Sequence, residues 1–176
     1  MENKFFNKIK QEKILDVYVC GLVDIENGIA EFIPMTDDIY FEFDTTMIRF
    51  ESVEQYSKLK IQYVNQFTYK FEDEDMYPAN SSIGKIVLTN IMADMMVKSI
   101  EIYGAEQTDN ELICHAASFL LNTGQEIFID PGFCDGIGVG GQHQKDTWLR
   151  NYPNTDSYTV PKLTVELTAP QLNMNG

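Results

Sequence analysis

Hydrophobic and polar residues alternate along several stretches of this chain, most clearly over residues 39–44, 58–63, 66–71, 97–103 and 163–167. Because successive side chains of a β-strand point to opposite faces, this period predicts half-buried strands. The predicted strands are residues 14–23, 29–34, 39–44, 58–71, 97–103, 112–121, 125–130 and 160–167. Residues 14–23 and 112–121 are apolar on both faces, which favours central strands.

Two turn sequences support antiparallel pairing. Asn27-Gly28 separates two apolar runs and is typical of a type I′ hairpin, and Asn122-Thr123-Gly124 is placed in the same way. Helix is predicted to be minor, at residues 3–13 and 142–151, and the first of these should turn Phe5, Phe6 and Ile9 inward. Residues 83–95 fit either a helix or a strand, and residues 72–82 are interpreted as a long exposed loop.

These patterns predict an α+β fold that is mainly antiparallel β. We expect a single domain over residues 1–176, sandwich-like or built on a curved sheet, with one or two short helices. A chain of this length should bury about 70% of the surface that it exposes when unfolded, so a substantial core is expected.

Acidic residues outnumber basic ones by 27 to 13, and the formal net charge is −14. Residues 14–57 carry ten acids and only one base, Arg49, while residues 71–143 carry twelve acids and two bases. Such a field repels nucleic acid and anionic lipid and attracts cationic partners. The alternative interpretation is that the acids only keep the protein soluble.

The N-terminal segment and the cysteines favour the cytoplasm. Residues 1–24 place lysines before an apolar run, but Asp16 interrupts that run and no small-residue cleavage pattern follows, so mature protein is expected. Cys20, Cys114 and Cys134 cannot all pair within one chain, and buried free thiols are the simplest interpretation. No stretch approaches the about 18 apolar residues of a membrane span.

Residues 130–148 gather five of the eleven glycines and the only tryptophan, Trp148. Gly136, Gly138 and Gly141 spell G-x-G-x-x-G, yet no strand leads directly into them and too little chain follows for a nucleotide-binding half, so nucleotide binding is disfavoured. This stretch is either packed structure or an interaction surface. Trp148 fits the apolar face of a helix that docks on the sheet, with an exposed partner anchor as the alternative.

Metal and covalent chemistry find little support in the sequence. Cys134, Asp135 and His143 lie close together, but no C-x-x-C or H-x-x-x-H pair brings two ligands onto one metal. Cys114 and His115 are neighbours that should point to opposite faces of a strand. No nucleophile elbow occurs, so we expect no cofactor, no metal and no enzymatic activity.

The hairpin sequence LNTGQEIFIDP, at residues 121–131, and the DGIGVGG that follows, at residues 135–141, accompany strong acidity and no catalytic constellation. In this combination the chain resembles immunity proteins of bacterial toxin systems. The resemblance implies a cytoplasmic protein that binds a cognate toxin domain and blocks its active site, with acidity suited to basic toxins. It covers the last third of the chain and transfers no individual functional residue.

The sequence therefore predicts an acidic binding protein that inhibits a basic protein partner. On a strand, Glu42 and Asp44 share the side opposite Phe41 and Phe43, so burial of the phenylalanines turns both carboxylates outward. The residues predicted to contact the partner are Asp37, Asp38, Glu42, Asp44, Glu72, Asp73, Glu74 and Asp75. Two alternatives remain open: a small-ligand or hydrolytic domain that uses residues 130–148, and a structural β-sandwich module of a larger assembly.

Overall fold

The computed structural model describes residues 5–70, 76–89, 94–107, 111–133, 136–152 and 159–167, without the side chains of residues 107 and 133. Twelve strands run in chain order through this part of the protein. They are β1 Ile14–Glu26, β2 Ile29–Phe43, β3 Met47–Val53, β4 Lys58–Val64, β5 Met76–Ser82, β6 Val97–Tyr103, β7 Glu106–Gln107, β8 Glu111–Cys114, β9 Ala116–Leu121, β10 Glu126–Phe133, β11 Gly136–Gly140 and β12 Pro161–Glu166. A 3-10 helix spans Phe6–Ile9, and two α-helices span Gly84–Val87 (α1) and Gln142–Asn151 (α2).

The strands form two sheets in which every pairing is antiparallel. The seven-stranded sheet has the order β5-β1-β2-β3-β4-β8-β7, and the five-stranded sheet has the order β11-β10-β9-β6-β12. The chain is therefore α+β and mainly antiparallel β, as the alternation predicts.

The main core lies between the two sheets. Phe41 and Phe50 of the seven-stranded sheet contact each other at 5.1 Å between ring centroids, and Phe119 of the five-stranded sheet lies 6.2 and 5.7 Å from them. All three side chains are fully buried. Phe6, on the 3-10 helix, contacts Phe119 edge to face, and Phe5, Phe6 and Ile9 are buried as predicted. The helix predicted over residues 3–13 is wrong in extent: in its described part it is the 3-10 helix Phe6–Ile9, and Lys13 already forms a bridge to Met96.

Both predicted hairpins form. Asn27 and Gly28 have φ angles of 54° and 79°, the two positive values that a type I′ turn requires, and they join β1 to β2. The second hairpin joins β9 to β10 through residues 122–125, with Gly124 at φ 87°. Residues 83–95 fitted either a helix or a strand, and their described part contains α1, which is a single helical turn. An isolated bridge to Lys13 follows at Met96.

Two predicted strands are wrong in extent. The strand expected over residues 58–71 ends at Val64, and the chain then lies against the outer face of the sheet, where Phe67 contacts the rings of Tyr18 and Tyr40. Phe67 therefore packs on a sheet rather than pairing within one. The segment 112–121 is divided at His115 into β8 and β9, which belong to different sheets, and this explains why both of its faces are apolar.

Four strands were not predicted: β3, β5, β11 and the two-residue β7. β3 carries a visible signal, since buried Ile48 and Phe50 alternate with Arg49 and Glu51. β5 and β11 replace two expected loops, one rich in turn-forming residues and the other rich in glycine. The predicted strands 29–34 and 39–44 are one strand, β2, with a bulge where residues 35–38 lie opposite Cys20 alone.

Candidate functional site

The glycine-rich stretch is packed structure rather than an open loop. Gly138 and Gly140 lie on β11 next to β10, and α2 crosses above them. A Cβ atom at Gly140 would lie 2.7 Å from Cβ of Gln144, and one at Gly138 would lie 2.8 Å from its Nε2. Gln144 donates a hydrogen bond of 2.6 Å to Asp130, which is itself buried. The glycines therefore give the helix room to approach the sheet.

Trp148 anchors α2, as the preferred interpretation of the sequence predicts. Its side chain is 5% exposed, and its ring lies 5.3 Å from Tyr103 and 5.6 Å from Phe128, both on the outer face of the five-stranded sheet. These residues and Ala116 form a second small core. The tryptophan is therefore buried and not an exposed anchor for a partner.

Lys145 lies one turn before Trp148 and holds two carboxylates of the sheet. Its Nζ donates to Glu126 at 2.7 Å and to Glu101 at 3.0 Å. Tyr103 donates to Glu101 at 2.8 Å, and Ser118 donates to Glu126 at 2.6 Å. We call these five residues the Lys145 cluster.

The electrostatics of the Lys145 cluster favour the charged forms of Lys145 and Glu101. Burial alone would lower the pKa of Lys145, but the bonds to Glu126 and Glu101 outweigh it and raise that pKa. Burial would raise the pKa of Glu101, and the bonds from Tyr103 and Lys145 reverse the direction, so its pKa is lowered. A lysine held as an ammonium ion is neither a nucleophile nor a base. The cluster therefore fastens helix to sheet.

A cavity of about 250 Å³ lies beside the Lys145 cluster. It is lined by Ser99, Glu101, Ser118, Leu120, Glu126, Gln142 and Lys145. A wider depression of about 540 Å³ lies on the other side of α2 and is lined by His143, Asp146, Leu149 and Arg150. A hydrolytic site formed by residues 130–148 would bring Asp130 and His143 into one pocket, but neither of these two linings contains both. Asp135 lies outside the described residues.

Cysteine and histidine side chains are dispersed in the described part of the chain. Cys20 and Cys114 are buried free thiols, and burial raises the pKa of Cys20 to about 11. His115 lies at the division between β8 and β9, and burial lowers its pKa. Cys134 lies outside the described residues. Within them, no three His, Cys, Asp or Glu side chains are grouped to hold a metal ion.

The sequence prediction for Asp38 is wrong, because this carboxylate is buried. It was expected on an exposed acidic face, but it is only 5% exposed and accepts two hydrogen bonds from Arg49, at 2.9 and 3.0 Å. Lys70 lies 3.4 Å from the same carboxylate and 3.0 Å from Glu51. Asp38 is covered because residues 67–70 lie on the face that the strand pattern left open to solvent.

The rest of the predicted acidic surface is partly exposed. Asp37 and Glu42 are half-buried, and Glu42 accepts a hydrogen bond from Tyr18. Asp44 is exposed and accepts a bond of 2.8 Å from the backbone N–H of Lys13. Glu72, Asp73, Glu74 and Asp75 lie outside the described residues.

A more prominent acidic surface lies at the far end of the β1–β2 hairpin. We call residues 21–34 the distal arm. It carries Asp24, Glu26 and Glu31, and its exposed isoleucines are Ile25 at 53%, Ile29 at 72% and Ile33 at 38%. These acids flank the Asn27-Gly28 turn and are not among the residues predicted to contact a partner.

Comparison with known proteins gives no relative: no family model, curated protein or solved structure matches this chain. None of the helices in the described segments is long and apolar enough to cross a membrane.

Proposed function

We propose that this protein binds a basic protein and inhibits it, in the manner of an immunity protein. The observation that supports this proposal is the distribution of paired and unpaired charge. Ion pairs with carboxylates engage six basic side chains, those of Lys13, Arg49, Lys58, Lys60, Lys70 and Lys145. The acids of the distal arm form no ion pair with a lysine or arginine among the described residues.

Ion pairs between basic side chains and carboxylates occur on both sheets. On the seven-stranded sheet, Arg49, Lys60 and Lys70 are engaged with carboxylates that include Glu51. On the five-stranded sheet, Lys145 neutralises part of its own cluster. No described lysine or arginine forms an ion pair with an acid between Ile14 and Asp37. The acids of β1 and of the first half of β2 are therefore not neutralised by an ion pair within the described residues.

An uncompensated acidic surface raises the rate of encounter with a cationic protein. The lysine beside the cavity is held by Glu126 and Glu101 in contacts that fasten α2 to the sheet, which fits a structural role for the Lys145 cluster. A nuclease or another basic toxin domain is the partner class that the acidity fits. We propose that the protein acts without a cofactor and in the cytoplasm.

The test is co-expression with the products of adjacent genes in a host whose growth one of those products arrests. We expect this protein to restore growth and to form a complex with that product. The association rate should fall steeply as the Debye length shortens from about 10 Å at 0.1 M salt to about 3 Å at 1 M. If no adjacent product arrests growth, or if growth is not restored, the inhibitor function is wrong.

A matched pair of variants tests whether the charge of the distal arm attracts the partner. Glu31→Lys reverses an exposed charge on the distal arm, and Glu166→Lys makes the same change in net charge on β12 of the other sheet. We expect Glu31→Lys to slow association far more than Glu166→Lys does, with little effect of either on dissociation. Equal effects would mean that net charge, and not the distal arm, attracts the partner.

A further inference from the structure

The distal arm leaves one strand edge open. Residues Ile29–Pro34 of β2 pair with β1, but β3 pairs with β2 only from Asp38 to Glu42. Among the described residues, no strand lies beside the other edge of Ile29–Ile33. This edge is therefore available for backbone pairing.

The turn determines which backbone groups point to that edge. A two-residue loop at Asn27 and Gly28 makes Glu26 and Ile29 a hydrogen-bonded pair. Hydrogen-bonded and non-hydrogen-bonded pairs alternate in an antiparallel ladder, so Ala30 and Phe32 direct their N–H and C=O groups away from β1. Two donors and two acceptors consequently line the open edge.

Between Ile29 and Ile33 the edge carries neither a lysine nor a proline, and Pro34 and the bulge of β2 begin only beyond it. Lysines and prolines commonly protect exposed edges, but no lysine occurs between Ile14 and Val53, and the first proline of β2 is Pro34. The side chains beside this edge are exposed isoleucines and Glu31, whose carboxylate forms no ion pair with the lysines and arginines that the structure describes. They suit a strand that carries both apolar and cationic side chains.

We infer that the edge Ile29–Ile33 binds an extended basic segment of a partner protein, which adds to the sheet as a further antiparallel or parallel strand. Main-chain hydrogen bonds would supply affinity, and the acids of the distal arm would select a cationic sequence. This inference rests on the proposed function, because the basic partner proposed above supplies the segment.

The experiment uses the full chain and a peptide of alternating lysine and valine. Hydrogen exchange is followed at individual amides by NMR. With the peptide at about ten times its Kd, exchange of the Ala30 and Phe32 amides should slow by about tenfold, while exposed amides elsewhere are unaffected. Two control peptides are the same sequence N-methylated on alternate amides, which cannot complete a ladder, and a peptide of alternating glutamate and valine.

Ala30→Pro is the matched protein variant, because it removes an outward N–H and leaves the ladder to β1 intact. In this variant the lysine–valine peptide should no longer slow hydrogen exchange at the Phe32 amide. If circular dichroism shows that this variant does not fold, Glu31→Lys replaces it and should weaken peptide binding at low salt. Equal protection by the N-methylated peptide, or no change at Ala30 and Phe32 with any peptide, would overturn the inference.

The two proposals can fail separately. If the protein neutralises a basic toxin and Ala30→Pro neutralises it equally well, strand addition is wrong and the inhibitor function stands. If the peptide adds at the edge but no neighbouring product is neutralised, the edge remains a binding surface for basic segments and the inhibitor function is wrong.

Discussion

Arg49 holds the carboxylate of Asp38 through two hydrogen bonds, from Nε to Oδ1 at 2.9 Å and from Nη2 to Oδ2 at 3.0 Å. Both side chains are less than a tenth exposed. Tyr40 lies between them in sequence on the same sheet face and is fully buried beneath Phe67. An ion pair thus lies on a sheet face that sequence periodicity assigns to solvent.

Replacing Arg49 with methionine should destabilise the fold by about 3–5 kcal/mol, because the charge of Asp38 would remain buried without its main partner. Lys70 is close enough to keep the loss toward the lower end of that range. Urea unfolding at neutral pH measures the effect. Lys85→Met, at an exposed lysine of α1, is the control and should change stability by less than about 0.5 kcal/mol. A double variant, Asp38→Leu with Arg49→Met, should recover most of the loss, and failure to recover it would show that the arginine acts through packing.

Replacing Lys145 with methionine should destabilise the protein by about 2 kcal/mol at neutral pH, since it removes charged hydrogen bonds to Glu101 and Glu126. The effect should depend on pH. The pKa of Glu101 is lowered in the folded state, so its contribution is present above the unfolded value of about 4.3 and disappears as the pH falls through the folded value. The stabilities of the variant and the wild type should therefore converge in acid. Lys98→Met on β6 is the control, and a difference that stays constant with pH would contradict the electrostatic explanation.

Replacing Gly140 with alanine should cost about 1–3 kcal/mol, because the new methyl group would collide with the Cβ atom of Gln144. Gly138→Ala meets the flexible end of the same side chain and should cost less. Gly141→Ser is the matched control: its Cβ would be 3.5 Å from the nearest atom, and serine suits the position that precedes α2. Thermal unfolding ranks the three, and an equal cost at all three positions would disprove the packing role of Gly140.

Replacing Gly28 with alanine should destabilise the hairpin by about 1–2 kcal/mol, although no atom lies within 4 Å of the added Cβ. The cost comes only from the φ angle of 79°, which alanine adopts unfavourably. Asn27→Gly should be nearly neutral, because glycine accepts the positive φ of that position. Denaturant unfolding gives both free energies. A neutral Gly28→Ala would mean that the turn changes type without disturbing the distal arm.

The sequence alone determined the features that depend on local patterns. Alternation at Ile39, Phe41 and Phe43 predicted a half-buried strand, and all three are buried. The Asn27-Gly28 turn and the helix at residues 142–151 were likewise predicted, since turn chemistry and a docking tryptophan act over a few neighbouring residues. The excess of acids was visible too, because composition needs no fold.

Only the tertiary structure decided which faces are covered and which charges are paired. Asp38 is buried because a segment almost thirty residues later in the chain lies over it, and β11 is a strand because β10 supplies its hydrogen bonds and α2 needs its glycines. The open edge of β2 arises because β3 is shorter than the hairpin beside it. These properties depend on contacts between residues distant in sequence, and no local period encodes them.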